Sequence, residues 1–291
     1  MDVVGFFTDP MAYGFMQRGL VAAIVVGIVC AVMGTFVVLK GIAFIGDAVS
    51  HASFPGVVIA FIVGLPIYLG GAVAAVGTAL AIGFVSRRSR LRLDTAIGVL
   101  FAGAFAFGVL LYSTIDGYTG DLLGYLLGNI LGIGLGDLIQ VMILGAAVLA
   151  IVIVIRKELL YATFDPLGAA ASGLPVGGLE YLLLGLLGVT IIVSIQAVGI
   201  ILVVAMLVTP PATAQLLVVR FDRMTVVAAT LATLAAVFGL YGSFYLNVAS
   251  GPAIVLVETG FFLAALVLGP RTGLIARRAT RRLSAAAAEA A

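Results

Sequence analysis

Apolar runs long enough to cross a bilayer recur along this chain, and they leave few choices of fold. They occupy residues 19–39, 43–65, 68–86, 95–113, 138–155, 179–195, 198–219, 225–246 and 253–268. A bilayer core takes about 20 such residues as a helix. Backbone polar groups in hydrocarbon must satisfy one another, which admits only helices or closed barrels. The alternating pattern of an outer-membrane barrel is absent. Charged residues make up only 10% of the 291, and the mean hydropathy is +1.30. A soluble domain would need roughly 25% charged residues to face water. The expected fold is therefore all-α, a polytopic transmembrane bundle of about nine spans. The 37 glycines suit it, because small residues let helices pack closely in lipid.

A shorter apolar segment, 121–133, is interrupted by Gly124, Gly128, Asn129 and Gly132. It is expected to be a re-entrant or interfacial helix. The basic residues gather at Lys40, 87–92, 156–157, 220–223 and in a tail from Arg271 to Arg282. Lys and Arg are retained on the cytoplasmic side. All five clusters fall there if 121–133 does not cross, which puts the N-terminus outside and the C-terminus inside. The chain then divides into an N-terminal interfacial segment (1–18), a transmembrane domain (19–270) and a basic, then Ala-rich, tail (271–291). Asp2, Asp9, Pro10 and Arg18 precede the first run, so no cleaved signal peptide is expected. No hydrophilic stretch is long enough for a soluble domain, so an ATPase or receptor domain would be a separate chain. Cys30 is the single cysteine and lies inside an apolar run. It reads as a small packing residue with no disulfide partner in the chain.

The polar pair Asp47 and His51 is the informative chemistry. Four residues apart, the two side chains stack on one helical face. His51 is the only histidine. Counted from Lys40 at about 1.5 Å per residue, both lie inside the hydrocarbon region. An ionisable group there costs at least ~2.5 kcal/mol and marks a functional site by default. A carboxylate oxygen and an imidazole nitrogen can ligate a divalent transition metal, without choosing between zinc, iron and manganese. Two ligands are few for a tight site, which suits an ion that must leave again. Mutual hydrogen bonding, or a proton relay, would use the same two groups.

Phe36-Val37-Val38-Leu39-Lys40, followed by Phe44-Ile45-Gly46-Asp47-Ala48-Val49-Ser50-His51-Ala52-Ser53-Phe54-Pro55-Gly56, resembles the signature of the ABC-3 permeases. These are the membrane subunits of bacterial importers for manganese, zinc and sometimes iron. Further matches are Asp94-Thr95-Ala96-Ile97-Gly98-Val99-Leu100-Phe101, Phe164-Asp165-Pro166, Ala171-Ser172-Gly173-Leu174-Pro175 and the run from Leu202 through Thr209-Pro210-Pro211 to Ala214. In order and spacing they cover nearly the whole chain. The resemblance implies that Asp47 and His51 contact the metal, near the outer gate. It also implies a second permease subunit, identical or closely related, a cytoplasmic ATPase and an external metal-binding protein. The setting would be the bacterial cell membrane, crossed many times. Manganese or zinc would be cargo, with no cofactor. The 156–178 connection would hold the helix that docks on the ATPase, with Glu158, Phe164 and Asp165 as coupling residues and Phe164 as anchor.

Other polar positions read more simply. Asp94 is expected to cap the following helix and oppose its dipole. Thr209-Pro210-Pro211 should kink or break a span. Gln196 and Asn247 read as helix-end residues. Glu258, placed near the outer end of the last span, departs from the family pattern; it would be a gate residue or extra ligand, or more simply a hydrogen-bonding partner. No Walker A, G-x-S-x-G or H-E-x-x-H motif occurs, so the chain is expected to be no enzyme itself. The basic clusters sit at membrane edges and give no support for nucleic acid. A permease for a metal chelate or cobalamin, and an ion-coupled secondary transporter, are the alternatives.

Overall fold

The computed structural model describes residues 9–89, 91–115 and 130–269. The helices are α1 (Gly14–Leu39), α2 (Ile45–Ala52), α3 (Phe54–Val63), α4 (Ile67–Ser89), α5 (Leu93–Tyr112), α6 (Leu135–Val154), α7 (Arg156–Phe164), α8 (Pro166–Ala171), α9 (Val176–Val198), α10 (Ile200–Leu217), α11 (Phe221–Leu246) and α12 (Ser250–Leu268). Among the described residues, nine segments are long and apolar enough to cross a membrane, with α2 and α3 together forming one of them. The all-α transmembrane bundle is as expected. Residues 116–129, and with them most of the expected re-entrant segment, lie outside the described residues. Its end, Ile130–Gly132, is a 3₁₀ turn packed near Gly19.

Long-range contacts fix the alternation of the spans. Arg87 at the end of α4 pairs with Glu180 at the start of α9 at 3.5 Å. Arg156, opening α7 after α6, pairs with Asp222 in the first turn of α11 at 2.7 Å. At the opposite end, Gln196 of α9 donates to Asp137 of α6 at 3.0 Å, and Tyr13 meets Phe244 of α11. The described basic clusters therefore collect at one end of the bundle, called the basic end below.

The core forms around α9, α1 and the α2–α3 span, the most buried spans among the described residues. Small residues allow the close crossings. A Cβ on Gly34 of α1 would land on the Leu207 carbonyl oxygen of α10, and one on Gly56 of α3 would land on the Gly70 carbonyl oxygen of α4. Contacts this close replace the hydrophobic drive that lipid does not supply.

Several local expectations change. α1 begins at Gly14, and the Arg18 guanidinium donates back to the Gly14 carbonyl. α10 runs as one helix through Pro210 and Pro211, so of the expected kink or break the break does not occur. Pro211 cannot donate to the Leu207 carbonyl four residues back, and that carbonyl is the one pressed against Gly34. Packing on α1 thus holds the helix together where its own ladder lacks donors. The residue flanking α5 is Arg92, so Asp94 lies in the first turn and is not the cap; its interaction with the helix dipole remains. Asn247 closes α11 in the left-handed region at φ 53°.

Candidate metal pair and its surroundings

Asp47 occupies the first turn of α2 and His51 the last. The His51 Nε2 to Asp47 Oδ1 distance is 3.5 Å, and the side chains are 32% and 35% exposed. Ser50 and Ser53, between and beyond them, turn inward and donate to the Gly46 and Ser50 carbonyls. The buried face of α2 thus carries Ala48, Val49 and Ser50, which leaves Asp47 and His51 on the open side. α2 ends just past His51 because Pro55 cannot donate to the His51 carbonyl four residues back, and α3 begins at Phe54.

α5 builds a wall beside the imidazole. The Phe105 ring meets His51 edge-on at 5.4 Å, and Phe101 lies 5.9 Å away. Phe54 follows against Phe105 and Tyr112, so α2–α3 and α5 run in the same direction. His51 is therefore level with the middle of α5, and Asp47 lies one turn closer to the Lys40 end. Relative to α5 the pair therefore sits near mid-helix, displaced towards the basic end. His51 Nδ1 is buried without a hydrogen-bond partner among the described residues. Two donors of different type face a shared opening, and among the described residues no third His, Cys, Asp or Glu joins them. A divalent ion held here by one chain keeps most of its coordination positions free.

The remaining predicted positions lie elsewhere. The 156–178 connection folds as α7 and α8. Asp165 caps α8, its Oδ1 accepting from the Gly168 N–H at 2.8 Å. Phe164 and Leu167 are 63% and 84% exposed, apolar side chains on a surface at the basic end. Glu158 sits in the first turn of α7, with Oε2 buried and without a hydrogen-bond partner among the described residues. None of the three approaches Asp47 and His51 in any recorded contact.

Glu258 lies at the middle of α12, not near its end, because the helix starts at Ser250. It is 1% exposed, and neither carboxylate oxygen has a hydrogen-bond partner among the described residues. It sits within electrostatic reach of Cys30, whose Sγ contacts Ser194 Oγ at 3.7 Å.

Two features escaped the sequence. Asp137 both accepts from the Gly134 N–H and holds Gln196; its place in a first helical turn, beside an apolar run taken to start at 138, was the available signal. The Phe101/Phe105 wall had none, since phenylalanines four apart in a span look like lipid-facing residues.

The chain matches the profile of the ABC 3 transport family over residues 12–269. It is 45% identical over 272 residues to the manganese transport system membrane protein MntC of Halalkalibacterium halodurans, covering 94% of this chain and 93% of the relative. It is 45% identical over 261 residues to the chelated iron transport system membrane protein YfeD of Yersinia pestis, covering 89% and 87%. Among solved structures, PsaBC from Streptococcus pneumoniae in complex with Fab contains a chain that superposes with a TM-score of 0.81 at 38% identity, over 93% of this chain and 97% of that one. A multi-pass helical bundle matched from end to end by one profile has a settled place: this chain belongs to the ABC 3 transport family, as a permease of a metal import system.

Proposed function

We propose that this chain is the membrane-spanning subunit of an ATP-driven bacterial importer for divalent manganese, or a similar ion such as zinc, in the cell membrane. The observation that carries this is the Asp47–His51 pair: one face, 3.5 Å apart, about one-third exposed and level with the middle of a neighbouring span. One chain supplies too few ligands for a tight site. A second copy, or a close relative, presenting the same face would double them and enclose the pathway between the two. The ion crosses without covalent or redox chemistry, by alternating exposure of the pair to either side. Cytoplasmic ATPase subunits drive the exchange through α7 and α8, where exposed Phe164 and Leu167 offer a docking surface. Glu158 and Asp165 shape that element, and an external metal-binding protein delivers the ion. Relatives named for manganese and for chelated iron support the substrate class. A bare cation fits the carboxylate–imidazole pair better than a bulky chelate, which has no need of it.

The test is metal uptake into proteoliposomes holding this chain, its ATPase and its binding protein. Manganese and zinc are assayed with and without ATP, for wild type and for Asp47→Ala/His51→Ala. ATP-dependent uptake lost in the double variant is expected. Uptake at the wild-type rate in that variant would remove the pair from the pathway, and uptake driven by an ion gradient without ATP would replace the importer with a secondary transporter.

A further inference from the structure

At the basic end, α1, α6 and α11 leave a crevice of about 250 Å³ between them, well beyond the ~10–15 Å³ that one water needs. Its walls are largely apolar: Val32 and Phe36 from α1, Leu149 and Ile153 from α6, and Val226 from α11, with the Thr225 hydroxyl among them turned back to the Phe221 carbonyl. The Phe36 and Phe221 rings, 5.0 Å apart, close its back. Ile153 and Val226 are each about two-thirds exposed (68% and 65%), so its sides open outward on the bundle surface. The mouth is different. Arg156 and Asp222 line it, paired at 2.7 Å with side chains 45% and 55% exposed. That bridge runs through one guanidinium nitrogen, while Arg carries five N–H donors. Around the mouth the adjoining residues Lys157, Arg220 and Arg223 are exposed cations. With Arg156 they make four positive charges against Glu158 and Asp222, a net of +2.

We propose that this crevice is a binding site for an anionic glycerophospholipid of the leaflet at the basic end, one acyl chain in the apolar slot and the phosphodiester at Arg156. A void of this size open to a bilayer does not stay empty, since unfilled walls forfeit their dispersion contacts. Beyond the polar mouth, water would meet few partners, whereas an acyl chain matches the lining. Charge selects the headgroup. Basic residues at the membrane surface attract anionic lipid by about 1 kcal/mol each, and the net positive mouth disfavours a headgroup carrying a compensating ammonium. The inference rests on the chain's place in a membrane, and it stands or falls independently of the metal it carries.

The test uses the full chain in detergent with added phosphatidylglycerol or phosphatidylcholine, bound lipid being counted by native mass spectrometry. One phosphatidylglycerol per chain should be retained at least threefold more than phosphatidylcholine. Lys157→Gln/Arg223→Gln should bring the two lipids to parity. Val226→Phe, at an exposed position, should lower retention of both several-fold by filling the slot. A phosphatidylglycerol carrying a photoreactive acyl chain should crosslink to peptides containing Leu149, Ile153 or Val226, which reports on the site even if a variant folds poorly. Equal retention of both lipids by wild type, or crosslinks spread evenly over α4 and α12, would overturn the proposal. So would displacement of the lipid by millimolar inorganic phosphate, since that points to an anion site with no use for the acyl slot.

Discussion

The aromatic wall beside His51 gives a quantitative prediction. Phe105→Ala removes the ring that meets the imidazole edge-on at 5.4 Å and leaves Phe101 at 5.9 Å as the remaining ring contact. His51 has no hydrogen bond at Nδ1 among the described residues, so besides the Asp47 contact at Nε2, ring contacts hold its orientation. An aromatic pair contributes about 0.5–1.5 kcal/mol. If that contact preorganises the imidazole for a metal, its loss appears in the binding constant, roughly 2- to 12-fold at 1.4 kcal/mol per decade. The comparison is Phe107→Ala, the same change on the same helix at a side chain 49% exposed and in no recorded contact with His51. Manganese affinity would be measured by titration calorimetry on both variants in detergent, with thermal unfolding followed alongside. Weakened binding in Phe105→Ala alone is expected, with both unfolding temperatures within a few degrees of wild type. Equal affinities in the two variants would refute the idea that α5 orients the ligand. A large joint loss of stability would show instead that the wall matters to packing.

Other outcomes follow from the packing. Glu258→Leu replaces a fully buried carboxyl lacking partners with an apolar side chain of similar size; relieving an unsatisfied polar group of this kind is worth about 1–3 kcal/mol, so thermal unfolding in detergent should shift upward by several degrees. Gly34→Ala drives a methyl onto the Leu207 carbonyl and the Pro211 ring, rigid atoms both, and overpacking of about 1–3 kcal/mol should exceed the ~1 kcal/mol gained in helix propensity. Gly77→Ala, which meets open space within α4, should show only the gain, and the same unfolding assay checks both. Phe164→Ala should weaken docking of the ATPase by about 2 kcal/mol, the scale of an interface anchor, and lower permease-stimulated ATP hydrolysis while leaving metal binding to the isolated chain unchanged.

The sequence by itself determined whatever depends on local spacing. Run length gave the spans, because hydrocarbon thickness and the 1.5 Å rise are fixed. The i, i+4 relation put Asp47 and His51 on one face before any neighbour was known, because the helical period decides it. Tertiary structure decided what those faces meet. The carbonyl that Pro211 leaves free in α10 lies against a glycine of α1, a contact 173 positions apart in the chain (Gly34 to Leu207). Glu258 is enclosed, with no hydrogen-bond partner among the described residues, because its face of α12 is turned into the bundle. The depth of the metal pair, its phenylalanine wall and the crevice under Arg156 likewise arise where separate helices come together. No periodicity encodes such meetings, since the helical repeat says which residues share a face and is silent on which helix that face will find.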